Sequence, residues 1–179
     1  TEKIQSYEVD LTLNAENTVD VIETITYDSG STPDRHGIFR HVPIQFSDGV
    51  HPLKLTSITD ETGAAYPYSD ESDAQNAVWE IGDPDNTSTG VHIYIMRYSF
   101  EAPVGLFSEK MDRFAWNAIG TEWDVPIEAS VVTLHLPETV KIQDVSEQRC
   151  FVGMAGLGIG DGCATSVDTE KNVLLYGLY

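Results

Sequence analysis

Basic residues are scarce in this sequence: 10 Lys and Arg stand against 29 Asp and Glu, a formal net charge of -19. A surface of that sign repels phosphate backbones and anionic lipid head groups at moderate ionic strength, which argues against nucleic acid and against direct membrane-surface binding. Long apolar runs are missing as well, since none approaches the ~20 residues a membrane-spanning helix requires. Helical periodicity is absent too: apolar residues at three- and four-residue spacing never persist beyond about a turn, and β-branched residues dominate the apolar runs. There is no G-x-S-x-G elbow, no H-E-x-x-H, no C-x-x-C and no P-loop, so nucleophilic and redox chemistry have no visible carrier, and no catalytic residue is assigned. Gly156, Gly158 and Gly160 resemble a dinucleotide loop in spacing only, because no helical pattern follows them. The chain opens at Thr1 with neither a methionine nor a signal sequence, the expected form of a mature segment of a longer protein.

What is present is alternation. Tyr7, Val9, Leu11 and Leu13 share one parity, a polar Asn14-Ala15-Glu16-Asn17 intervenes, and Val19, Val21, Ile25 and Tyr27 resume the parity, which predicts a hairpin. Further strands are expected over residues 37–46, 53–59, 77–81, 91–100, 113–117, 130–136, 140–145 and 172–178, separated by turn signals such as Glu61-Thr62-Gly63 and Gly82-Asp83-Pro84-Asp85. In the 91–100 run, Val91, Ile93 and Ile95 load one face and Tyr94, Met96, Tyr98 and Phe100 the other, the pattern of a central strand covered on both sides. Short strands with no helical layer must bury their apolar faces on another sheet. The expected fold is therefore all-β, an antiparallel β-sandwich of about 8–10 strands with little or no helix, more readily than a barrel. At 179 residues one core suffices, so residues 1–179 are expected to form a single domain. The acids fall in short clusters such as Asp70-Glu71-Asp73 between apolar runs, which reads as a solvated surface.

Cysteine occurs twice, at Cys150 and Cys163, around a stretch that holds five glycines. Closing so flexible a segment contributes roughly 3 kcal/mol in the loop-entropy model, and the two are expected to be bonded to each other. Such a bond implies an oxidising compartment.

Four stretches, in order and at matching spacing, carry a family resemblance: His36-Gly37-Ile38-Phe39-Arg40-His41-Val42-Pro43; Trp79-Glu80-Ile81-Gly82-Asp83-Pro84-Asp85; Gly90-Val91-His92-Ile93-Tyr94-Ile95-Met96-Arg97-Tyr98; and the run from Trp116 through Asn117, Gly120, Glu122, Trp123 and Asp124 to Ile127. Together they resemble the extracellular N-terminal domain of YciQ-like predicted bacterial membrane proteins, a family of unknown function. The resemblance covers roughly the first 140 residues. It implies a domain on the extracellular face of the cell membrane, anchored by transmembrane segments outside this chain, and it carries over no catalytic set.

Three candidate sites follow. Arg35, His36, Arg40 and His41 concentrate positive charge in an acidic chain, a cradle for a carboxylate or an anionic polymer; the plainer reading pairs Arg35 and Arg40 with acids internally. As zinc ligands, His36 and His41 lack an obvious third partner. Asp83 and Asp85 offer alternate oxygens of the kind calcium takes, but the EF-hand offsets are missing, and a Pro-containing turn with capping aspartates is the plainer reading. No other cofactor is expected. Trp116, Asn117, Glu122, Trp123 and Asp124 form the densest aromatic and carboxylate cluster, suited to a sugar-binding groove if exposed and to core packing if not. The expected activity is that of a non-catalytic module binding an extracellular protein or polysaccharide. The alternative is a carbohydrate-binding or carbohydrate-active domain working on cell-wall polymers.

Overall fold

The computed structural model describes residues 1–31, 34–46, 49–102, 104–108, 111–152 and 160–178. Among them the chain is nearly all strand: β1 (Lys3–Leu13), β2 (Thr18–Asp28), β3 (Gly37–Pro43), β4 (Gln45–Phe46), β5 (Gly49–Val50), β6 (Lys54–Thr59), β7 (Tyr68–Asp70), β8 (Asn76–Gly82) and β9 (Val91–Glu101) come first. They are followed by β10 (Val104–Ser108), β11 (Met111–Phe114), β12 (Ser130–His135), β13 (Phe151–Val152), β14 (Gly160–Asp161), β15 (Ala164–Asp168) and β16 (Val173–Leu178), with one short 3-10 turn at Ile142–Asp144. The fold is all-β and sandwich-like. A seven-stranded sheet in the order β15-β16-β12-β1-β2-β9-β6 is faced by a three-stranded sheet in the order β3-β8-β7, and three two-stranded ribbons complete the strands.

Alternation decides which face is dry. Tyr7, Val9 and Leu11 of β1, Val19, Val21, Ile25 and Tyr27 of β2, and Tyr94, Met96, Tyr98 and Phe100 of β9 are buried in one cluster with Ile38 and Val42 of β3 and Ala77, Trp79 and Ile81 of β8. Trp79 meets Tyr98 across the two layers with ring centroids 5.5 Å apart.

The structure departs from the sequence expectation at four places. The large sheet is mixed, because β12 lies parallel to β1. The chain returns beside β1 through residues 126–129, where Ile4 donates to the Pro126 carbonyl at 2.9 Å and Tyr7 to that of Ala129 at 3.0 Å, and it runs in the same direction as β1. Residues 140–145 form no strand: the Asn172 side chain accepts from the Ile142 N–H and donates to the Val140 carbonyl, which curls the segment into the 3-10 turn. The strand expected over residues 113–117 ends at Phe114. Finally, β9 is next to the edge strand, and among the described residues the β3-β8-β7 layer packs on its Tyr94 face, which is buried, while on the other face Val91 is 53% exposed and Ile93 and Ile95 are half-buried. Cys150 and Cys163 are joined by a disulfide with Cα atoms 6.0 Å apart. Residues 153–159 of the glycine-rich stretch lie outside the described residues.

Candidate functional site

The β2 alternation contains one carboxylate, Glu23, at an inward position between Val21 and Ile25, and it is completely buried. The β3 alternation contains one guanidinium, Arg40, between Ile38 and Val42, and it is 1% exposed. The two belong to opposite sheets and meet in the core. Arg40 Nε and Nη2 each donate to Glu23 at 2.8 Å, a bidentate fork on both carboxylate oxygens. Diagonal neighbours on the same sheet face complete the arrangement: Tyr7 of β1 is in register with Ile25 and Tyr98 of β9 with Val21, so each hydroxyl reaches Glu23, at 2.7 and 2.5 Å. Four donors thus fill the four lone-pair directions of one carboxylate. The Arg40 guanidinium carbon also lies 5.7 Å from the Tyr7 ring centroid. Burial alone would weaken the Arg40 charge, but Glu23 more than offsets it and raises its pKa further. Burial first, with the Glu23 charge, raises the Tyr98 phenol well above its ordinary value; Tyr7 is raised by burial and Glu23 against the opposing pull of Arg40.

Over this pair lies the loop that carries the fourth family-like stretch. Arg40 Nη1 donates to the His41 carbonyl at 2.6 Å and Nη2 to the Ala118 carbonyl at 3.1 Å. Trp123 donates its indole N–H to Ile119 at 2.9 Å and sets its ring edge-on to Tyr7, with centroids 5.7 Å apart. Trp116 stacks on Phe100 at 4.1 Å and on Phe46 at 5.6 Å. Both tryptophans are half-buried and packed on the core, while Asn117, Glu122 and Asp124 are exposed. Asn117 accepts from the Gly120 N–H, closing the turn between the tryptophans. Residues from all four stretches therefore converge: Arg40, Trp79, Tyr98 and the 116–124 loop form one packed unit around Glu23.

The other candidates lie on the surface. Arg35 pairs with Glu2 at 2.8 Å with nearly half its side chain exposed, and Asp124 adds to the negative charge around it. Burial would raise the Glu2 carboxyl, but hydrogen bonds from Arg35 and Tyr27 bring it below its usual range. His36 Nδ1 lies 3.2 and 3.1 Å from the carbonyls of Asp83 and Asn86. A carbonyl only accepts, so this nitrogen carries the proton and is not free to ligate a metal. Asp83 accepts from the Asp85 N–H and the Asn86 amide, an Asx turn in which both carboxylate oxygens are engaged. Among the described residues, no three His, Cys, Asp or Glu side chains are grouped to hold a metal ion.

Glu23 and Tyr7 escaped the sequence reading as site residues. The signal for Glu23 was a lone carboxylate at a dry position of an alternating strand; Tyr7 carried none beyond its parity.

Asx turns of this kind make stability depend on acid. Asp83 is held below the usual carboxylate range by the Asn86 side chain and the Asp85 N–H, Asp60 by the Thr62 hydroxyl, and Asp73 by the N–H groups of Gln75 and Asn76. A carboxylate with a depressed folded-state pKa stabilises the fold above its unfolded value, and that contribution disappears as pH falls through the folded one. The thermal midpoint is therefore expected to drop as the pH is taken below about 4, with a shallower drop in Asp73→Asn, which keeps the turn without the titrating group. Unchanged acid limbs in the two proteins would contradict this.

Comparisons place the chain among known folds. The family described as "Predicted membrane protein (DUF2207) N-terminal domain" matches residues 3–174. No curated protein matches the chain. Yeast LTA4 hydrolase in complex with bestatin is similar over 98% of this chain and 26% of its own, at 7% identity and a TM-score of 0.51, a likeness of fold alone. An M1 zinc metallopeptidase from Deinococcus radiodurans gives a TM-score of 0.47 at 10% identity over 98% of this chain. A putative protease from Parabacteroides distasonis gives 0.47 at 12% identity over 99% of this chain and 35% of its own. The chain spans about 38% of the length of the Deinococcus enzyme.

Proposed function

The chain belongs to the DUF2207 family of predicted membrane protein N-terminal domains, and from that membership we propose that it is a non-catalytic binding module on the outer face of a bacterial cell membrane, held there by spans elsewhere in the protein. Among the described residues no helix is long and apolar enough to cross a membrane. The observation that carries the reading is the saturation of Glu23 and Arg40. A carboxylate that accepts four hydrogen bonds and is sealed from solvent has no lone pair to offer a substrate, so the charged core joins two sheets and carries no reaction. One surface open to recognition is the outer side of the 116–124 loop, where Glu122 and Asp124 are exposed and Asp124 lies close enough to Arg35 to act on its charge.

The carbohydrate reading has less support. A sugar groove needs free indole faces, and the Trp116 ring is stacked on Phe46 and Phe100, while Trp123 is half-buried with its N–H bonded to the Ile119 carbonyl.

Placement is checked by substituting Glu122→Cys in the full-length protein and treating intact cells with a membrane-impermeant maleimide. Labelling without lysis is the expected result, and labelling only after lysis would overturn the outer-face assignment. Tryptophan fluorescence of the chain is expected to stay unchanged on titration with soluble peptidoglycan fragments; a saturable change would restore the carbohydrate reading.

A further inference from the structure

Sheet edges expose rows of backbone N–H and C=O groups, and folded proteins guard them with short strands, proline, lysine, bulges or covering segments. Three edges here are guarded. At the β6 edge of the large sheet, Tyr66 donates to the Ile58 carbonyl at 3.0 Å and Ala65 bridges Thr59, so residues 64–66 cover half the strand. The uncovered half of β6 carries Lys54 and a register shift between Leu55 and Ser57. In the small sheet, β7 is only three residues long and β3 ends on Pro43.

Among the described residues, none of these devices is found at the β15 edge. Its five residues, Ala164–Asp168, pair in uninterrupted register with β16 alone, and none of them makes another backbone–backbone hydrogen bond among the described residues. The strand contains no proline, lysine or arginine, four of its five side chains are exposed, and Val167 is 48% exposed. Two concavities flank it. On the outer sheet face, Ala164, Gly177 and Val131 lie side by side in register, a depression floored by small residues and walled by Leu175 and Ser166. At the start of the strand, Thr165 and the disulfide share a second concavity with residues 147–149. The carbonyl oxygen of the Gln148 side chain, which lines it, is buried without a hydrogen-bond partner.

We propose that the β15 edge binds an extended segment of a partner polypeptide, which adds to the large sheet as an eighth strand. Main-chain hydrogen bonds would supply the affinity, and alternate side chains the selectivity. One apolar side chain of the guest would enter the Ala164–Gly177 depression, and its neighbour would point to the opposite face. The net charge of -19 favours a guest that carries lysine or arginine. β15 lies three places from β1 in the sheet, so this surface is independent of the 116–124 loop and of the reading built on it.

The test uses the 179-residue chain and a fluorescein-labelled synthetic peptide of about nine residues, alternating threonine and valine with lysine at each end. Its counterpart is N-methylated at every second residue, which removes the donors along one backbone edge and leaves the protein untouched. Saturable binding is expected, about tenfold or more weaker for the N-methylated peptide. The unmodified peptide is also expected to slow amide hydrogen exchange within residues 164–168. In the protein, Thr165→Pro and Ser166→Pro remove adjacent donors, one of which faces away from β16, and at least one variant should retain the fold by circular dichroism while losing the peptide. Equal affinity for the two peptides, protection appearing elsewhere than 164–168, or no binding at about 1 mM would each overturn the proposal.

Discussion

Arg40→Ala is expected to lower the stability of the fold by about 3–5 kcal/mol, because it leaves the Glu23 carboxylate buried without its counter-charge. For a chain of this length that corresponds to a fall in thermal midpoint on the order of 10 °C. Tyr7 and Tyr98 would still donate to Glu23, but two phenols do not replace a bidentate guanidinium. The loss should extend to the 116–124 loop, since Arg40 also holds the Ala118 carbonyl; tryptophan emission shifted to the red while the chain is still folded would report it. Replacing both charges together, Glu23→Leu with Arg40→Met, is expected to recover part of the stability, because no buried charge is left without its counter-charge, while the Tyr7 and Tyr98 hydroxyls and the Ala118 carbonyl lose their partners. A thermal midpoint unmoved by Arg40→Ala would show that the guanidinium does not join the two sheets.

Gly82→Ala is expected to be of similar severity, about 4 kcal/mol or more, for a reason of shape. Gly37 and Gly82 face each other in register where β3 and β8 begin and end. A Cβ on Gly37 would lie 1.8 Å from the Ile81 carbonyl oxygen, and one on Gly82 would lie 1.9 Å from that of His36. Both overlaps are with backbone, so relief requires the strands to part, which would pull Arg40 and Trp79 off the larger sheet. Gly49→Ala is the control: its φ of 140° is close to the 142° of Gly82, but nothing lies within 4 Å of the added methyl. Equal losses in the two variants, measured by chemical denaturation, would assign the cost to backbone conformation alone and refute the overlap.

Much of the sandwich was legible beforehand because period-two alternation is a property of the strand itself. The inward set of β1 and β2, the Tyr94 face of β9 and the cysteine pair all follow from it or from spacing. The same local rule misled where a neighbour decides the outcome. Val140 and Ile142 alternate like a strand, yet Asn172, far along the chain, captures that segment as a turn. Val91, Ile93 and Ile95 signal a second covered face, yet among the described residues the facing sheet packs on the other side and Val91 is left exposed. The candidate site was visible only in halves. Arg40 stood out as a rare cation, Glu23 passed as an interruption in an apolar strand, and Trp116 and Trp123 remained open between groove and core.

The sequence by itself determined the class of the fold, the dry face of its longest strands and the family the chain belongs to, because backbone periodicity and ordered motifs are written along the chain. Tertiary structure alone decided that Glu23 and Arg40 meet, that the four family-like stretches enclose them, and that β15, among the described residues, pairs with β16 alone. Those outcomes depend on which distant strands lie side by side, and pairing across many residues is set by the packing of two layers, not by any local pattern.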